Sequence, residues 1–428
     1  MNRDFRVFWT GQLTSKFGSA LSSVAVPLVA VAYLGASTIQ VGILVAAASA
    51  PKLLLGVVIA TWGDGLPRKR PFLIRADLLA AAGTLGLAAL LYSGRLTVPV
   101  MIAGVFFLGL LRTFVEAIYF VHLRGLVGDD QLVLARARLQ AAEQIGFVGG
   151  RAAVGPLVSA VAAMMPFVVD AATYLVNAVC LRSLRTAEAP VEPSRPGDRT
   201  SFGRRMWGGA VEIRRQPFLR RLVPYVLLAQ LALGAATALV APFLLREINV
   251  PVAAYGLLFV MVGVAGTLGA LVSSGLTKRG VDPRSMVLWG YGLAATPILL
   301  LAVAGGPLPL AATIAAAGIG LPGLFSAIAN VGLTGFITRV VPMEVLGRTA
   351  MTLQIANTLP VIIGAPLGGL LADQVGIRPA LACTAVLAVL AAGLLLPLAR
   401  LMSGQPGAAE MPETVVAARA PSSPKEKR

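Results

Sequence analysis

Charged residues are scarce in this sequence. Only 13% of its 428 residues are charged, whereas 57% are hydrophobic and the mean hydropathy is +0.81. Soluble domains have about a quarter of their residues charged, and a soluble chain of this length would need a polar surface around each of several cores. The composition therefore excludes a water-soluble protein and predicts that a lipid bilayer surrounds the chain.

Cysteine and histidine are almost absent. Cys180 and Cys383 lie in apolar runs far apart in the sequence, which excludes a disulfide framework and a four-ligand zinc site. His122 is the single histidine and has no second histidine with which to bind a metal. A glycine-rich phosphate loop ending in Lys-Ser or Lys-Thr is missing, so ATP is not the direct energy source. We expect no enzymatic activity, no metal and no cofactor.

Twelve apolar segments are long enough to cross about 30 Å of hydrocarbon as helices. They lie near residues 7–34, 38–62, 72–93, 98–122, 134–163, 166–184, 218–246, 252–277, 284–304, 308–338, 345–372 and 379–401. The pattern predicts an all-α membrane protein with twelve transmembrane helices.

Basic residues outnumber acidic ones, 36 to 19. In a soluble chain this excess would suggest nucleic acid, but here the basic residues lie between apolar runs. Only Arg95, Arg246 and Arg378 fall in odd-numbered connections between spans. Lysine and arginine concentrate in cytoplasmic connections. We therefore expect no nucleic-acid partner, a multi-pass protein of the cell membrane, and both termini in the cytoplasm.

An internal repeat divides the chain. A shift of 210 positions superimposes glycines, basic residues and a Pro-Leu pair at the same places in the order of spans. The pairs are Gly56/Gly266, Gly65/Gly275, Arg68/Lys278, Lys69/Arg279, Arg138/Arg348 and Pro156-Leu157/Pro366-Leu367. Parallel repeats of this kind are typical of secondary transporters. We predict two pseudo-symmetric six-helix bundles, 1–184 and 218–401, a cytoplasmic linker at 185–217 and a disordered cytoplasmic tail at 402–428.

The connection after the second span carries a recognisable motif. It reads Gly63-Asp64-Gly65-Leu66-Pro67-Arg68-Lys69-Arg70. An acid, a turn and a basic cluster at this place resemble the signature of the major facilitator superfamily, in the form of its enterobactin-exporter-like and macrolide-efflux-like branch. Other matching segments are Asp4-Phe5-Arg6, Gly155-Pro156, Asp170-Ala171, Tyr255-Gly256 and 366–373. The resemblance implies the two-bundle fold, export of a substrate and a cavity lined by spans one and four.

The same motif suggests a conformational gate of Asp64, Gly65, Arg68 and Lys69. Asp64 ends the second span, where it can cap the N-terminus of a neighbouring helix across the interface of the bundles. Arg68 and Lys69 can pair with acids of adjacent spans. The alternative is that the basic residues only mark the cytoplasmic side.

Charges inside spans cost about 2.5–3.5 kcal/mol each on insertion scales, so each needs a partner or a function. They are Lys16, Lys52, Arg112, Glu116, Glu143 and Arg151. Arg112 and Glu116 share a helix face because they are four residues apart. All but Arg151 lie at a similar depth, which predicts one buried network. Arg112→Ala should then leave Glu116 without a partner.

The resemblance adds a role to this network. Arg112 is similar to the span-four arginine associated with proton coupling in drug/proton antiporters, which would make Glu116 the proton carrier. A purely structural ion pair is the alternative. In the second half, the neutral amides Gln230, Asn330 and Asn357 either line the substrate cavity or bond across helices.

The function predicted is proton-coupled efflux of a small amphipathic organic compound, such as a drug, siderophore or natural product, by a monomeric secondary transporter working by alternating access. Its partners are this substrate, protons and the lipid bilayer. Uptake by symport or facilitated diffusion, and a non-transporting polytopic membrane protein, are the alternatives. Four basic residues against two acids within the first-half spans also predict acidic or neutral substrates rather than cations.

Overall fold

The computed structural model describes residues 3–64, 69–185 and 210–398. The predicted tail, and the predicted linker from residue 186 to 209, lie outside these ranges. Helices make up the described parts of the chain. They are α1 (Arg3–Ala32), α2 (Thr38–Asp64), α3 (Arg70–Tyr92), α4 (Val98–Ala160), α5 (Met165–Arg182), α6 (Pro217–Pro242) with a π-helical turn (Phe243–Glu247), α7 (Val252–Lys278), α8 (Pro283–Ala295), α9 (Ile298–Val303), α10 (Leu308–Val340), α11 (Met343–Val375) and α12 (Ile377–Gly393).

The predicted fold class is confirmed, with two local corrections. Eleven segments of the described chain are long and apolar enough to cross a membrane. The predicted span at 284–304 is divided into α8 and α9 just before Ile298, because Pro297 cannot donate to the helical ladder. The predicted connection between spans four and five is helical, so both spans belong to α4, which has 63 residues.

The two ends of α4 nevertheless form two spans. A straight helix would separate Arg112 from Glu143 by about 46 Å, yet both residues line one cavity. The first part packs on α2, where Gly109 lies against Ala48, and the later part packs on α1, where Gly146 lies against Phe17. The backbone must therefore reverse direction between these parts, and residues 134–160 supply the twelfth span.

Contacts define two faces of the molecule. Asp373, near the end of α11, bonds the backbone of Thr38 at the start of α2, so the connections 33–37 and 375–377 lie together. We call this the distal face. Arg3 and Leu398 each lie one span away from it and therefore share the opposite face, the terminal face.

The two halves of the chain meet at the distal face. The largest cluster of buried apolar residues there combines both halves, for example Leu28 and Met101 with Phe243 and Leu381. Nearer the terminal face, one cluster contains only first-half residues, around Phe5. Another contains only second-half residues and includes Phe336. Packing therefore closes the distal side and keeps the two halves separate toward the terminal side.

Small residues allow the close approach of α1 to the later part of α4. A Cβ atom added to Gly150 would overlap the carbonyl oxygen of Phe17 and lie 3.0 Å from the nitrogen of Leu21. Backbone atoms cannot move away as a flexible side chain can. The helices must therefore separate if any side chain is added here.

We expect Gly150→Ala to destabilise the protein by about 1–3 kcal/mol, the usual cost of overpacking. Thermal unfolding of the purified protein in detergent measures this as a lower Tm. Gly86→Ala is the matched control, since nothing lies within 4 Å of a Cβ atom at this position in α3. Equal Tm values for the two variants would contradict the packing described here.

Candidate functional site

A cavity of about 410 Å³ lies among the helices of the first half. Its volume falls within the usual range of ligand pockets, about 300–1,000 Å³. Six charged residues line it, so we call it the charged cavity. They are Lys16 of α1, Asp77 of α3, and Arg112, Glu116, Arg136 and Glu143 of α4.

Ion pairs connect most of these charges. Lys16 Nζ lies 2.8 Å from Glu143 Oε1. Glu116 binds two cations, with Lys52 Nζ at 3.1 Å from Oε2 and Arg112 Nε at 3.0 Å from Oε1. The five residues predicted to form one network therefore form two separate groups, and all of them except Lys52 line the charged cavity. The expectation that Arg112→Ala leaves Glu116 unpaired is wrong, because Lys52 also binds this carboxylate.

Arg151 is separate from these groups. Its guanidinium lies over the Phe147 ring, 3.5 Å from the centroid. Its Nε is buried and has no hydrogen-bond partner among the described residues. The backbone of Arg151 contacts Gly256, so this residue belongs to the contact between α4 and α7.

Asp77 is a site residue that the sequence analysis did not select. Its carboxylate accepts a 2.7 Å hydrogen bond from Asn177 Nδ2, and Asn177 Oδ1 accepts one from Gln12 Nε2 at 3.4 Å. An acid five residues after the beginning of the predicted span at 72–93 was the available signal. Three acids and three bases thus line the charged cavity, so its lining carries no cationic surplus. The preference for acidic or neutral substrates stays a prediction.

A second cavity of about 200 Å³ lies in the second half. It is lined by the predicted amides Gln230, Asn330 and Asn357 and also by Tyr225 and Tyr291. The fourteen described residues that line it include no charged residue, so we call it the neutral cavity. The seven predicted cavity residues are therefore divided between two cavities, four in one and three in the other.

Hydrogen bonds hold the amides of the neutral cavity. Gln230 Nε2 donates to Asn357 Oδ1 at 2.8 Å and thereby connects α6 to α11. The Tyr291 hydroxyl donates to Asn330 Oδ1, also at 2.8 Å, and connects α8 to α10. These amides thus bond across helices and also line a cavity. Contact of this cavity with a substrate stays a prediction.

Both cavities lie at the same depth from the terminal face. Lys16 and Gln230 are each thirteen residues from the beginning of their helices, a rise of about 20 Å. The distal closure lies beyond them. A ligand would therefore reach either cavity from the terminal side.

The predicted gate is described only in part. The backbone of Asp64 ends α2, but its side chain, Gly65 and Arg68 lie outside the described residues. Lys69 precedes α3 and is 4% exposed. The gate therefore stays a prediction.

Comparison with known proteins agrees with this architecture. The sequence pattern of the Major Facilitator Superfamily matches residues 8–359 and, in a second overlapping match, residues 222–425. The chain belongs to the major facilitator superfamily. It is therefore a multi-pass membrane transporter of the facilitator type. A comparison with curated protein sequences gives no match.

Solved facilitator structures share the fold at low identity. The nucleoside transporter NupG has a TM-score of 0.74 and 12% identity, covering 92% of this chain and 99% of NupG. A bacterial homologue of the iron transporter ferroportin, in an inward-facing state, has a TM-score of 0.71 and 15% identity, with 92% and 98% covered. A bacterial homologue of the human lysosomal transporter Spinster, inward-facing and unoccupied, has 0.68 and 15%, with 94% and 98% covered.

We expect a charge exchange to test the Lys16–Glu143 pair. Lys16→Glu alone places two carboxylates together, and Glu143→Lys alone places two ammonium groups together, so each should lower the Tm. The double variant restores an ion pair and should recover a coupling energy of about 1–3 kcal/mol. Thermal unfolding of the four proteins measures it. Additive losses in the double variant would show that the two charges do not interact.

Proposed function

We propose that this facilitator is a proton-coupled exporter of a small amphipathic organic compound, in the enterobactin-exporter-like and macrolide-efflux-like branch. The observation that carries the proposal is the charged cavity, where one carboxylate, Glu116, holds two cations from different helices. Such a carboxylate can exchange its cations for a proton. Drugs, siderophores and natural products are the substrate classes considered.

The orientation of the molecule is compatible with this direction. Basic connections concentrate on one side of the sequence pattern, which supports a cytoplasmic terminal face. A cavity reached from the terminal side and closed at the distal face is then inward-facing, the state in which an exporter loads its substrate and an importer releases it, so the choice of export rests on the resemblance of the sequence to the efflux branch. The protein is proposed to lie in the cell membrane with both termini in the cytoplasm.

The proposed cycle uses the ion pairs as its coupling device. Protonation of Glu116 removes the negative charge that holds Lys52 and Arg112, so these cations become available to an acidic or polar substrate group. Deprotonation restores the pairs and displaces the substrate. Rocking of two six-helix bundles, 1–184 and 218–401 in a monomer, exposes the cavity to each side in turn.

Reconstituted vesicles test the proposal. The purified protein is reconstituted into proteoliposomes. The vesicles are then loaded with fluorescent acidic, zwitterionic or neutral amphiphiles, and a pH gradient of either sign is imposed across their membrane. Proton-coupled export predicts that flux of at least one compound runs against the proton gradient. Flux with the proton gradient would establish symport, and flux indifferent to the gradient would establish facilitated diffusion. No flux of any compound would overturn the proposed export of small amphipathic compounds.

A further inference from the structure

We propose that the neutral cavity is a subsite for an uncharged amide-type group, such as a carboxamide, a lactam or a nucleobase edge. The transported compound then carries this group in addition to an ionisable group held in the charged cavity. The inference rests on the proposed transport function and specifies the chemistry of its substrate.

The first argument is the distribution of charge. Six charged residues line the charged cavity, whereas the described residues that line the neutral cavity include no charged residue. An ionised group moved from water into a cavity without a counter-charge loses its hydration and gains no partner. The neutral cavity therefore selects against carboxylates and ammonium groups alike.

The second argument is the orientation of the amides. Gln230 uses its Nε2 to bond Asn357, whose own Nδ2 bonds the Leu353 carbonyl at 2.8 Å. Among the described residues, Gln230 Oε1 has no donor. Asn330 uses its Oδ1 to accept from Tyr291, and its Nδ2 has no acceptor among the described residues. Gln230 thus offers the cavity an unused acceptor, and Asn330 offers it an unused donor.

A neutral amide matches this pair of groups. Its N–H can donate to Gln230 Oε1 and its C=O can accept from Asn330 Nδ2. Asn330 is exposed and Gln230 is half-buried in the empty cavity. A hydrocarbon group would therefore remove water from both amides without giving a hydrogen bond in return, which costs about 1–3 kcal/mol for each group that the ligand buries. Sites built to hydrogen-bond a substrate group reject analogues that lack it.

The third argument is size. At about 200 Å³ the neutral cavity is below the range of whole-ligand pockets, whereas the charged cavity at about 410 Å³ is within it. The neutral cavity therefore receives one ring-sized part of a ligand. Because both cavities lie at the same depth, the remainder of the ligand can extend toward the charged cavity.

Three probes of nearly equal shape test the proposal. Benzamide is neutral with a donor and an acceptor, benzoate is its anionic counterpart and benzamidine is its cationic counterpart. Their dissociation constants are measured by saturation-transfer NMR on the full-length protein in nanodiscs. We expect the affinity for benzamide to fall at least tenfold in Gln230→Leu and in Asn330→Leu. Gln354→Leu is the matched control, because this α11 amide bonds Thr358 and lines neither cavity.

A variant that conserves the side-chain shape keeps the test valid if the leucine variants misfold. Asn330→Asp replaces the unused donor by a carboxylate oxygen, so it should weaken benzamide and gain at least tenfold in affinity for benzamidine. Benzamide that does not bind, or that binds equally to wild type, Gln230→Leu and Asn330→Leu, would overturn the proposal. The proposal would also be overturned if benzoate or benzamidine binds the wild type and this binding is lost in Asn330→Leu. If benzamide binds the wild type and the variants as expected but the vesicles show no flux, only the proposed export would be refuted.

Discussion

Glu116→Gln is expected to abolish flux driven by a pH gradient while leaving the folded protein in the membrane. The amide keeps the shape of the side chain but cannot take up or release the coupling proton. The two cations left behind are tolerated, because Lys52 and Arg112 are 52% and 51% exposed in their side chains and the cavity can hydrate them. Substrate exchange without a gradient should persist, since exchange needs no net proton movement.

Proteoliposomes with a pH gradient and with none measure this difference, using the compound that the vesicle assay identifies. Glu143→Gln is the matched control, since Glu143 lines the same cavity and, among the described residues, pairs only with Lys16. Full gradient-driven flux in Glu116→Gln would disprove its coupling role. Loss of that flux in Glu143→Gln alone would assign the role to Glu143.

Asp373→Ala is expected to open the distal face. The carboxylate of Asp373 accepts hydrogen bonds from the backbone nitrogens of Thr38 and Ile39, each at 3.1 Å, and from the Thr38 hydroxyl. It thereby caps α2 of the other half, at the end of the helix where a negative charge is favourable. Charged hydrogen bonds contribute about 1.5–3 kcal/mol. Because this cap exists only when the halves meet, losing about 2 kcal/mol should shift the population about thirtyfold toward the distal-open state.

Spin labels on opposite halves measure this shift as a longer distance across the distal face. Tyr92→Cys and Val303→Cys suit the labels, with 79% and 69% exposure, in a chain whose two native cysteines are replaced by alanine. Asp282→Ala is the control: Asp282 caps its own helix by accepting from Arg284 nitrogen at 3.0 Å. It should lower the Tm and leave the distance unchanged. An unchanged distance in Asp373→Ala would show that the cap does not hold the closed state.

The transmembrane architecture could be predicted from the sequence because each span must satisfy the bilayer by itself. A helix completes its own backbone hydrogen bonds, and its apolar length must match the hydrocarbon, so both properties are local. The break between α8 and α9 also depends on local sequence, since Pro297 interrupts the helix within the predicted span at 284–304. The helical turn between the two spans of α4 was missed because its reversal depends on packing against α1 and α2.

The candidate site, too, could be predicted from the sequence only in part. The cost of a charge in lipid was enough to select Lys16, Arg112, Glu116 and Glu143 from the sequence. Their partners depend on how helices pack, and Lys52 reaches Glu116 across 64 positions of chain. Asp77 could not be assigned to the site from the sequence, because a lone acid near a span end indicates no partner until Asn177 of α5 is beside it.

The sequence by itself determined that this chain spans a membrane, that a repeated residue pattern relates its two halves and that the charged residues deep within its spans belong to the first half. Only the tertiary structure decided that charged and neutral groups occupy separate cavities and that Asp373 bonds the start of α2 across the two halves. Hydrophobicity and charge are properties of single residues and short windows. Ion pairs, cavities and closures arise between helices that are distant in sequence, so their geometry exists only once the helices are packed.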